Sequence, residues 1–411
     1  MSDCCSAPGL MLLDDALNTL SAGVTPVKET ETLPLASCDG RVLAANIISP
    51  MNVPPHNNSA MDGYALAAAD LESSDTLPVA GQSFAGHPFE GTCPAGQCIR
   101  IMTGAAIPES TDAVVMQEQT EKTENGIRFL KTPKPGSNIR RAGEDISEGC
   151  IVLTAGHKLR PQDLGLLASL GIAELKVFRR VRVAVFSTGD ELKLPGETLG
   201  HGDIYDSNRI VVTTMLTRLG LEVIDLGKLP DERDVIREAL VRADNEADAV
   251  ITSGGVSVGD ADFIKDILVE LGETGFWKLA IKPGKPFAFG KLANSVFFGL
   301  PGNPVSATIT LNILAVHALR IMSGEVAAKT PSLKAASGTR LKKGAGRREF
   351  QRGILSTDEQ GHATVVTTGS QGSGILRSMS MANCYIVLPE ENTGAEVGDL
   401  VSVVPFDSLL N

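Results

Sequence analysis

Between residues 180 and 322, short apolar runs alternate with stretches of helical spacing. VRVAVF, LEVIDL and ADAVIT read as strands. The segments after them read as helices: one capped by Asp206 or Ser207 and running through Leu219, one capped by Asp231 and running to Ala243, and one from about Asp260. FWKLAI, PFAFG and SVFFGL add short strands, and Pro304 opens a further helix. This alternation predicts a three-layer α/β sheet. Ahead of it, Met11, Leu12, Ala16, Leu17 and Leu20 form one helical stripe. Residues 41–145 change character: RVLAANII, CIRIM, AVVMQEQT and IRFLK are strand-like runs between Gly/Pro turns, and Asn125-Gly126 signals a hairpin. Pro161 opens a second helix that Gly171 closes. Residues 330–411 return to short strands, with turns such as Asp358-Glu359-Gln360-Gly361, and predict a small β-barrel or sandwich.

The expected class is therefore α/β plus β, in a multidomain chain. Residues 1–44 and 146–178 form a discontinuous helical or linker domain around a β-rich insertion at 45–145. An α/β domain follows at 179–326, and a β domain at 327–411. The two helical pieces flank the insertion in sequence and are expected to pack together.

Composition narrows the function. Of 411 residues 43% are apolar, ample for several cores, and 21% are charged, so the chain does not look disordered. The formal net charge of −12 argues against a general nucleic-acid or membrane-surface binder, which needs an attractive field. A basic site in so acidic a chain would be a specific anion site. The seven cysteines match no zinc spacing: Cys93 and Cys98 are five apart, and Cys4 and Cys5 are adjacent. Reduced thiols in a cytoplasmic protein are expected. MSDCCSAPGLMLLDD has no basic flank, so no signal peptide is expected. No run of roughly 18 apolar residues predicts a membrane span.

Ligands of open α/β sheets sit beyond the carboxyl ends of the strands. Three polar, Gly-rich loops leave those ends: Ser187-Thr188-Gly189-Asp190-Glu191, the stretch ITSGGVSVGDADF at 251–263, and Leu300-Pro301-Gly302-Asn303-Pro304. In the second, Gly254 and Gly255 let backbone approach a ligand, and the hydroxyls of Ser253 and Ser257 suit phosphate oxygens. Asp260 and Asp262 would repel that phosphate unless a divalent cation such as Mg²⁺ lies between them, and Asp190 and Glu191 offer the same chemistry. The plainer reading is a turn, with Asp260 as a helix cap. Lys282-Pro283-Gly284-Lys285 suits a type II turn, which holds two ammonium groups near each other. They either splay into water or share a dianion. Asn303 and Pro304 suit a helix start, where the amides of Val305 and Ser306 and the Ser306 hydroxyl face whatever lies there. Arg347, Arg348 and Arg352 in GRREFQR offer forked donors to an oxyanion, or form a basic surface strand. NNSAMDGYA, RIMTGAAIP and RRAGEDI set polar residues beside glycine and, singly, read as turn chemistry.

Together these segments, with FSTGDEL, KPGKPFAFG, GLPGNPVSA and GRREFQRG, run in order from about residue 50 to 390. The combination resembles the molybdopterin molybdenumtransferase family, the MoeA-like proteins also found as the E domain of gephyrin. The resemblance implies an elongated homodimer of four-domain subunits, with the active site shared between the α/β domain of one subunit and the β-rich domain of the other. It implies a reaction in which molybdate enters adenylylated molybdopterin and AMP leaves, assisted by Mg²⁺. Glu191 and Asp262 are similar to acids that organise metal and substrate, with Asp190 beside them as a metal ligand. Lys282, Lys285, Ser306, Arg347 and Ser373 are similar to a molybdate-holding set, Lys282 also being catalytic. Asp62, Thr103 and Asp145 match functional positions of the β-rich unit and would act in trans, Asp62 as a catalytic group. Asp231, a helix cap or a further site acid, joins Ser253, Gly254, Gly255, Ser257, Pro301 and Arg352 as expected substrate contacts. Other cofactor-pathway and acceptor proteins are implied partners; nucleic acid and membrane are not. The rival readings are a molybdopterin adenylyltransferase, which shares the TSGG-type loop and would consume ATP, and a non-catalytic gephyrin-like scaffold.

Overall fold

In the computed structural model, which describes residues 9–254, 263–326 and 330–410, the chain divides into two compact units. One comprises residues 1–31, 40–44 and 176–411, the other residues 32–39 and 45–175.

The larger unit is built on a six-stranded sheet in the order Glu222–Leu229, Arg182–Thr188, Ala249–Ser253, Val296–Leu300, Pro286–Lys291, Glu273–Lys278. The first four strands pair in parallel, and Pro286–Lys291 pairs antiparallel with both of its neighbours. Parallel strands covered on both faces read as unbroken apolar runs, which is why VRVAVF and ADAVIT were recognisable. Side chains alternate between the faces. Val183, Val185, Ile251 and Phe298 enter one core with the helices Leu13–Gly23 and Ser207–Leu219 and the helical run Pro304–Met322. Ala184, Phe186, Val250 and Phe297 enter the other, beneath Arg233–Glu246 and Phe263–Leu271. The expected three layers are present. The run Pro304–Met322, 19 residues, is long and apolar enough to cross a membrane, but 72% of its apolar window is buried, as befits a core helix.

The same unit contains a closed five-stranded barrel. Its ring runs Arg348–Thr357, Ala363–Thr367, Leu333–Ser337, Leu400–Pro405, Cys384–Leu388 and back to Arg348–Thr357. Closure decides the barrel-or-sandwich question and leaves no free edge within the ring. The short strand Ile281–Lys282 pairs in parallel onto Arg348–Thr357 from outside the ring. The expected turn at Asp358 is present, with Asp358 Oδ1 accepting the backbone N–H of Gln360 and His362.

The smaller unit carries a four-stranded sheet, Val79–Ser83, Cys98–Ile101, Gly63–Leu66, Ala113–Met116, and a three-stranded one, Thr76–Leu77, Gly126–Phe129, Thr120–Thr123. Two expectations shift. The hairpin turn is Glu124-Asn125, not Asn125-Gly126: Gly126 already pairs with Thr123 at φ +138°. A Cβ on Gly126 would lie 2.3 Å from the Leu77 carbonyl oxygen, so glycine is needed for strand approach. The helical pieces also part company. Leu13, Ala16 and Leu20 are buried in the larger unit's core, whereas Pro161–Ser169 belongs to the smaller unit with residues 32–39. The apolar stripe of the first helix found its partner on the helical run Pro304–Met322 rather than on the second helix.

Candidate active site

A cleft of about 830 Å³ opens at the carboxyl ends of the parallel strands. Thr188, Ser253 and Pro301 bring three strand ends to it, and Glu191, Asp231, Gly254 and Ser306 line it. The described parts of the three loops singled out by composition therefore do face one crevice. Gly254 takes φ +93°, which other residues rarely adopt, and a Cβ there would stand 3.0 Å from the Thr188 carbonyl oxygen. Its N–H is not free for a ligand, since it donates to the Leu300 carbonyl (3.2 Å). Gly255, Ser257, Asp260 and Asp262 lie outside the described residues.

The acids converge. Asp190 Oδ1 accepts the backbone N–H of Asp231 at 3.3 Å. Partial burial pushes the Asp231 carboxyl above its ordinary range, and the charges of Asp190 and then Glu191 push the same way. Asp231 is no helix cap: the helix Arg233–Glu246 has Glu232 at its N-cap position, without a side-chain cap bond. Among the described residues no three acidic, His or Cys side chains close around a metal by themselves. The donor set fits Mg²⁺ all the same, because that ion keeps several waters and takes only one or two carboxylates beside phosphate oxygens. Beneath the acids, Asp206 is 1% exposed and accepts from the Ser187 hydroxyl at 2.5 Å and from the Arg209 guanidinium at 3.2 Å. This buried brace ties the first loop to a helix start.

On the opposite side, Pro304 begins the helix Pro304–Thr310 as expected, but the Asn303 side chain makes no cap bond. The Val305 N–H donates to the Ser373 carbonyl (3.0 Å), so it too is taken. That bond seats Ser373 beside Ser306, and Gly374 and Leu376 complete the wall.

The cationic residues are arranged less simply than expected. Lys282 closes the strand Ile281–Lys282 and only a bend follows at Pro283, with no hydrogen-bonded turn, so the expected type II turn is not seen; the Lys282–Pro283 peptide is cis. Lys282 Nζ contacts Glu349 Oε1 at 2.8 Å. Lys285 is exposed, and its carbonyl accepts the Leu279 N–H at 2.7 Å. Neither lysine lines the cleft, though Pro286 does. Arg347 is half-buried, while its neighbour Arg348 is spent on Asp14 and Glu390. Arg352 departs furthest from expectation. It is 1% exposed, and its guanidinium donates to the Ser378 hydroxyl (3.0 Å) and the Gly372 carbonyl (3.2 Å). Burial pulls its pKa down to about 10. Buried and bonded in this way, it supports the 371–374 segment from beneath.

In the smaller unit the three glycine-rich motifs meet through backbone bonds. Ser59 N–H donates to Ala105 O (2.9 Å), Gly104 N–H to Ser59 O (2.8 Å), and Arg140 of the third motif pairs antiparallel with Asn58 of the first. Asp62 Oδ1 accepts both the N–H and the hydroxyl of Thr103, at 2.8 and 2.7 Å. Those bonds, the backbone one first, hold the Asp62 carboxyl below its ordinary range. Gly63 follows because a Cβ there would sit 1.9 Å from the Val115 carbonyl oxygen. Asp145 is exposed on the third motif, its N–H donating to Val53 O (3.0 Å), and makes no hydrogen bond to the Asp62–Thr103 pair.

Sequence reasoning missed Asp206 as a buried brace and Glu349 as the partner of Lys282. The only signal for Glu349 was an acid set among arginines in GRREF.

Comparison with known proteins shows the family. Residues 11–171 match the MoeA N-terminal region (domain I and II), residues 184–321 the probable molybdopterin binding domain, and residues 334–406 the MoeA C-terminal region (domain IV). The molybdopterin molybdenumtransferase of Haemophilus influenzae is 49% identical over 403 residues, covering 98% of this chain and 100% of the relative. Gephyrin of Dictyostelium discoideum is 32% identical over 457 residues, covering 95% of this chain and 63% of gephyrin. The crystal structure of the molybdopterin biosynthesis moeA protein from Pyrococcus horikoshii superposes with a TM-score of 0.84 at 32% identity, covering 97% of this chain and 100% of the other. The chain belongs to the MoeA family of molybdopterin molybdenumtransferases.

Proposed function

We propose that this protein binds adenylylated molybdopterin in the cleft, inserts molybdate into its dithiolene and releases AMP. As a MoeA-family chain it is a transferase of molybdenum cofactor biosynthesis. The observation that carries the finer reading is the pairing of opposite devices on one cleft. Ser253, Gly254, Ser306 and the Ser373 segment stand on one side, and the acids Glu191 and Asp231 on the other. A phosphoanhydride needs both kinds of neighbour. Asp190, Glu191 and Asp231, with Asp262, would hold Mg²⁺, which supplies charge neutralisation to the pyrophosphate being cut.

The chain's own residues bind and orient. The Ser253 hydroxyl donates to phosphate oxygens and the Ser306 hydroxyl to molybdate, for which Lys282, Lys285 and Arg347, near the Pro286 side of the cleft, supply positive charge. Holding the oxyanion against the dithiol turns a two-body encounter into a local one. Two Mo–S bonds form as one oxo group leaves with both thiol protons as water. Separately, water cleaves the phosphoanhydride and AMP departs. Asp62, kept ionised by Thr103, and Asp145 complete the site of a second subunit in a cytoplasmic homodimer, which hands its product to other proteins of the pathway.

The test is AMP release from protein loaded with adenylylated molybdopterin. Release is expected only when molybdate and Mg²⁺ are both added and without ATP. Binding with no release would leave a non-catalytic scaffold, and a requirement for ATP would indicate an adenylyltransferase.

A further inference from the structure

Glu349 is a carboxylate that a barrel strand buries, at 4% exposure. Its burial is supported on both oxygens. Gln351 Nε2 donates to Oε2 at 3.0 Å while also holding the Lys342 carbonyl at 3.0 Å. Lys282 Nζ meets Oε1 at 2.8 Å, and strand register sets this pair, since Lys282 stands opposite Glu349 where Ile281–Lys282 joins Arg348–Thr357. Two further cations lie nearby, but the Lys343 ammonium is spent on the carbonyls of Gly344, Glu390 and Asn392, and the Arg352 guanidinium on Ser378 and Gly372. Among the described residues Lys282 is the only ion-pair partner of Glu349.

The pair is lopsided. The Glu349 side chain is 5% exposed and the Lys282 side chain 45%. Lys282 does not need the carboxylate for solvation, because water reaches it. What it gains is a fixed place: a lysine head on a flexible four-carbon stem otherwise wanders among rotamers. An ammonium has three N–H groups, so one spent on Glu349 leaves two for an anion. We propose that Glu349 is a positioning residue that fixes the Lys282 ammonium for oxyanion binding. The inference rests on the reading of Lys282 as a molybdate ligand, and the experiment separates the two.

Four full-length proteins are compared: wild type, Lys282→Ala, Glu349→Gln and the double variant. For each, half-saturating molybdate and kcat are measured in AMP release, with the melting temperature alongside. Glu349→Gln should raise half-saturating molybdate about three- to tenfold, the coupling expected of contacting charged residues, with kcat within about twofold. In the Lys282→Ala background the same change should have no further effect. An equal shift in both backgrounds would make Glu349 merely structural. A lower requirement in Glu349→Gln would make it a competitor of the anion, and no shift would also overturn the proposal. If Lys282→Ala alone leaves the requirement unchanged, the oxyanion role of Lys282 is wrong and the inference goes with it. A measurement on wild type covers the case of a variant that does not fold. In competitive acylation Lys282 should react several-fold more slowly than exposed Lys285, and equal rates would contradict the fixed pair.

Discussion

Arg352→Ala tests whether a buried cation supports the site from beneath. The change removes two buried methylenes, about 1.6 kcal/mol at roughly 0.8 each. It also strips the Ser378 hydroxyl and the Gly372 carbonyl of their donor, at 3.0 and 3.2 Å in the native protein. Each acceptor left bare costs about 1–3 kcal/mol. Against this stands relief from burying a guanidinium that has no carboxylate partner among the described residues, worth several kcal/mol. The net is a destabilisation of about 2–4 kcal/mol. Because Gly372 precedes Ser373, whose carbonyl accepts the Val305 N–H, the loosened segment should also weaken AMP release. The assay is urea unfolding of wild type and variant, paired with AMP release at saturating molybdate. Activity lost with unfolding free energy unchanged would refute the reasoning and return Arg352 to direct substrate contact.

Asp231→Asn should raise the Mg²⁺ needed for half-maximal AMP release by on the order of tenfold or more. In wild type that requirement should fall as pH rises from the ordinary carboxylate range, because the raised Asp231 pKa keeps a proton competing with the cation; the variant's profile should be flatter, and identical profiles would remove Asp231 from the metal site. Gly63→Ala should destabilise the protein by about 1–3 kcal/mol or more in chemical unfolding, since the added Cβ meets the Val115 carbonyl oxygen at 1.9 Å and backbone must move; unchanged stability would contradict that strand contact. Alkylation of native protein at pH 8, mapped by peptide mass, should label Cys150 while sparing Cys98 and Cys384, whose thiols burial pushes up to about 12 and about 11. Mixing Asp62→Asn and Asp231→Asn proteins, at a Mg²⁺ concentration too low for either alone to release AMP, should restore part of the activity if the two lie in sites shared between subunits; no recovery after verified subunit exchange would place them in one subunit's site.

Much of the α/β architecture was legible because parallel strands buried on both faces leave apolar runs, as VRVAVF does between Arg180 and Ser187. The barrel was only half legible. Its closure is the pairing of Glu349 to Gly353 with Leu388 to Cys384, a long-range contact that no local pattern announces. Of the site, the three loops and their glycines could be read, since Gly254 needs φ +93°. The fates of single charges could not. Asp231 looks equally like a helix cap until Asp190 and Glu191 appear beside it, and Arg352 looks like an oxyanion ligand until strand register turns it into the protein. Lys282 reads in sequence as an ammonium that splays into water or shares a dianion with Lys285, and only the fold shows Glu349 against it. Charge in a sequence names a chemistry, while register decides which partner it meets.

The central claim is that one cleft holds the pterin's phosphates and the oxyanion together. A crystal grown with adenylylated molybdopterin and soaked in molybdate would test it through molybdenum anomalous scattering. The account predicts a peak at the Ser306–Ser373 wall, within reach of Lys282, with the pyrophosphate against Ser253. A molybdenum peak confined to another face of the protein, with the cleft empty, would contradict it.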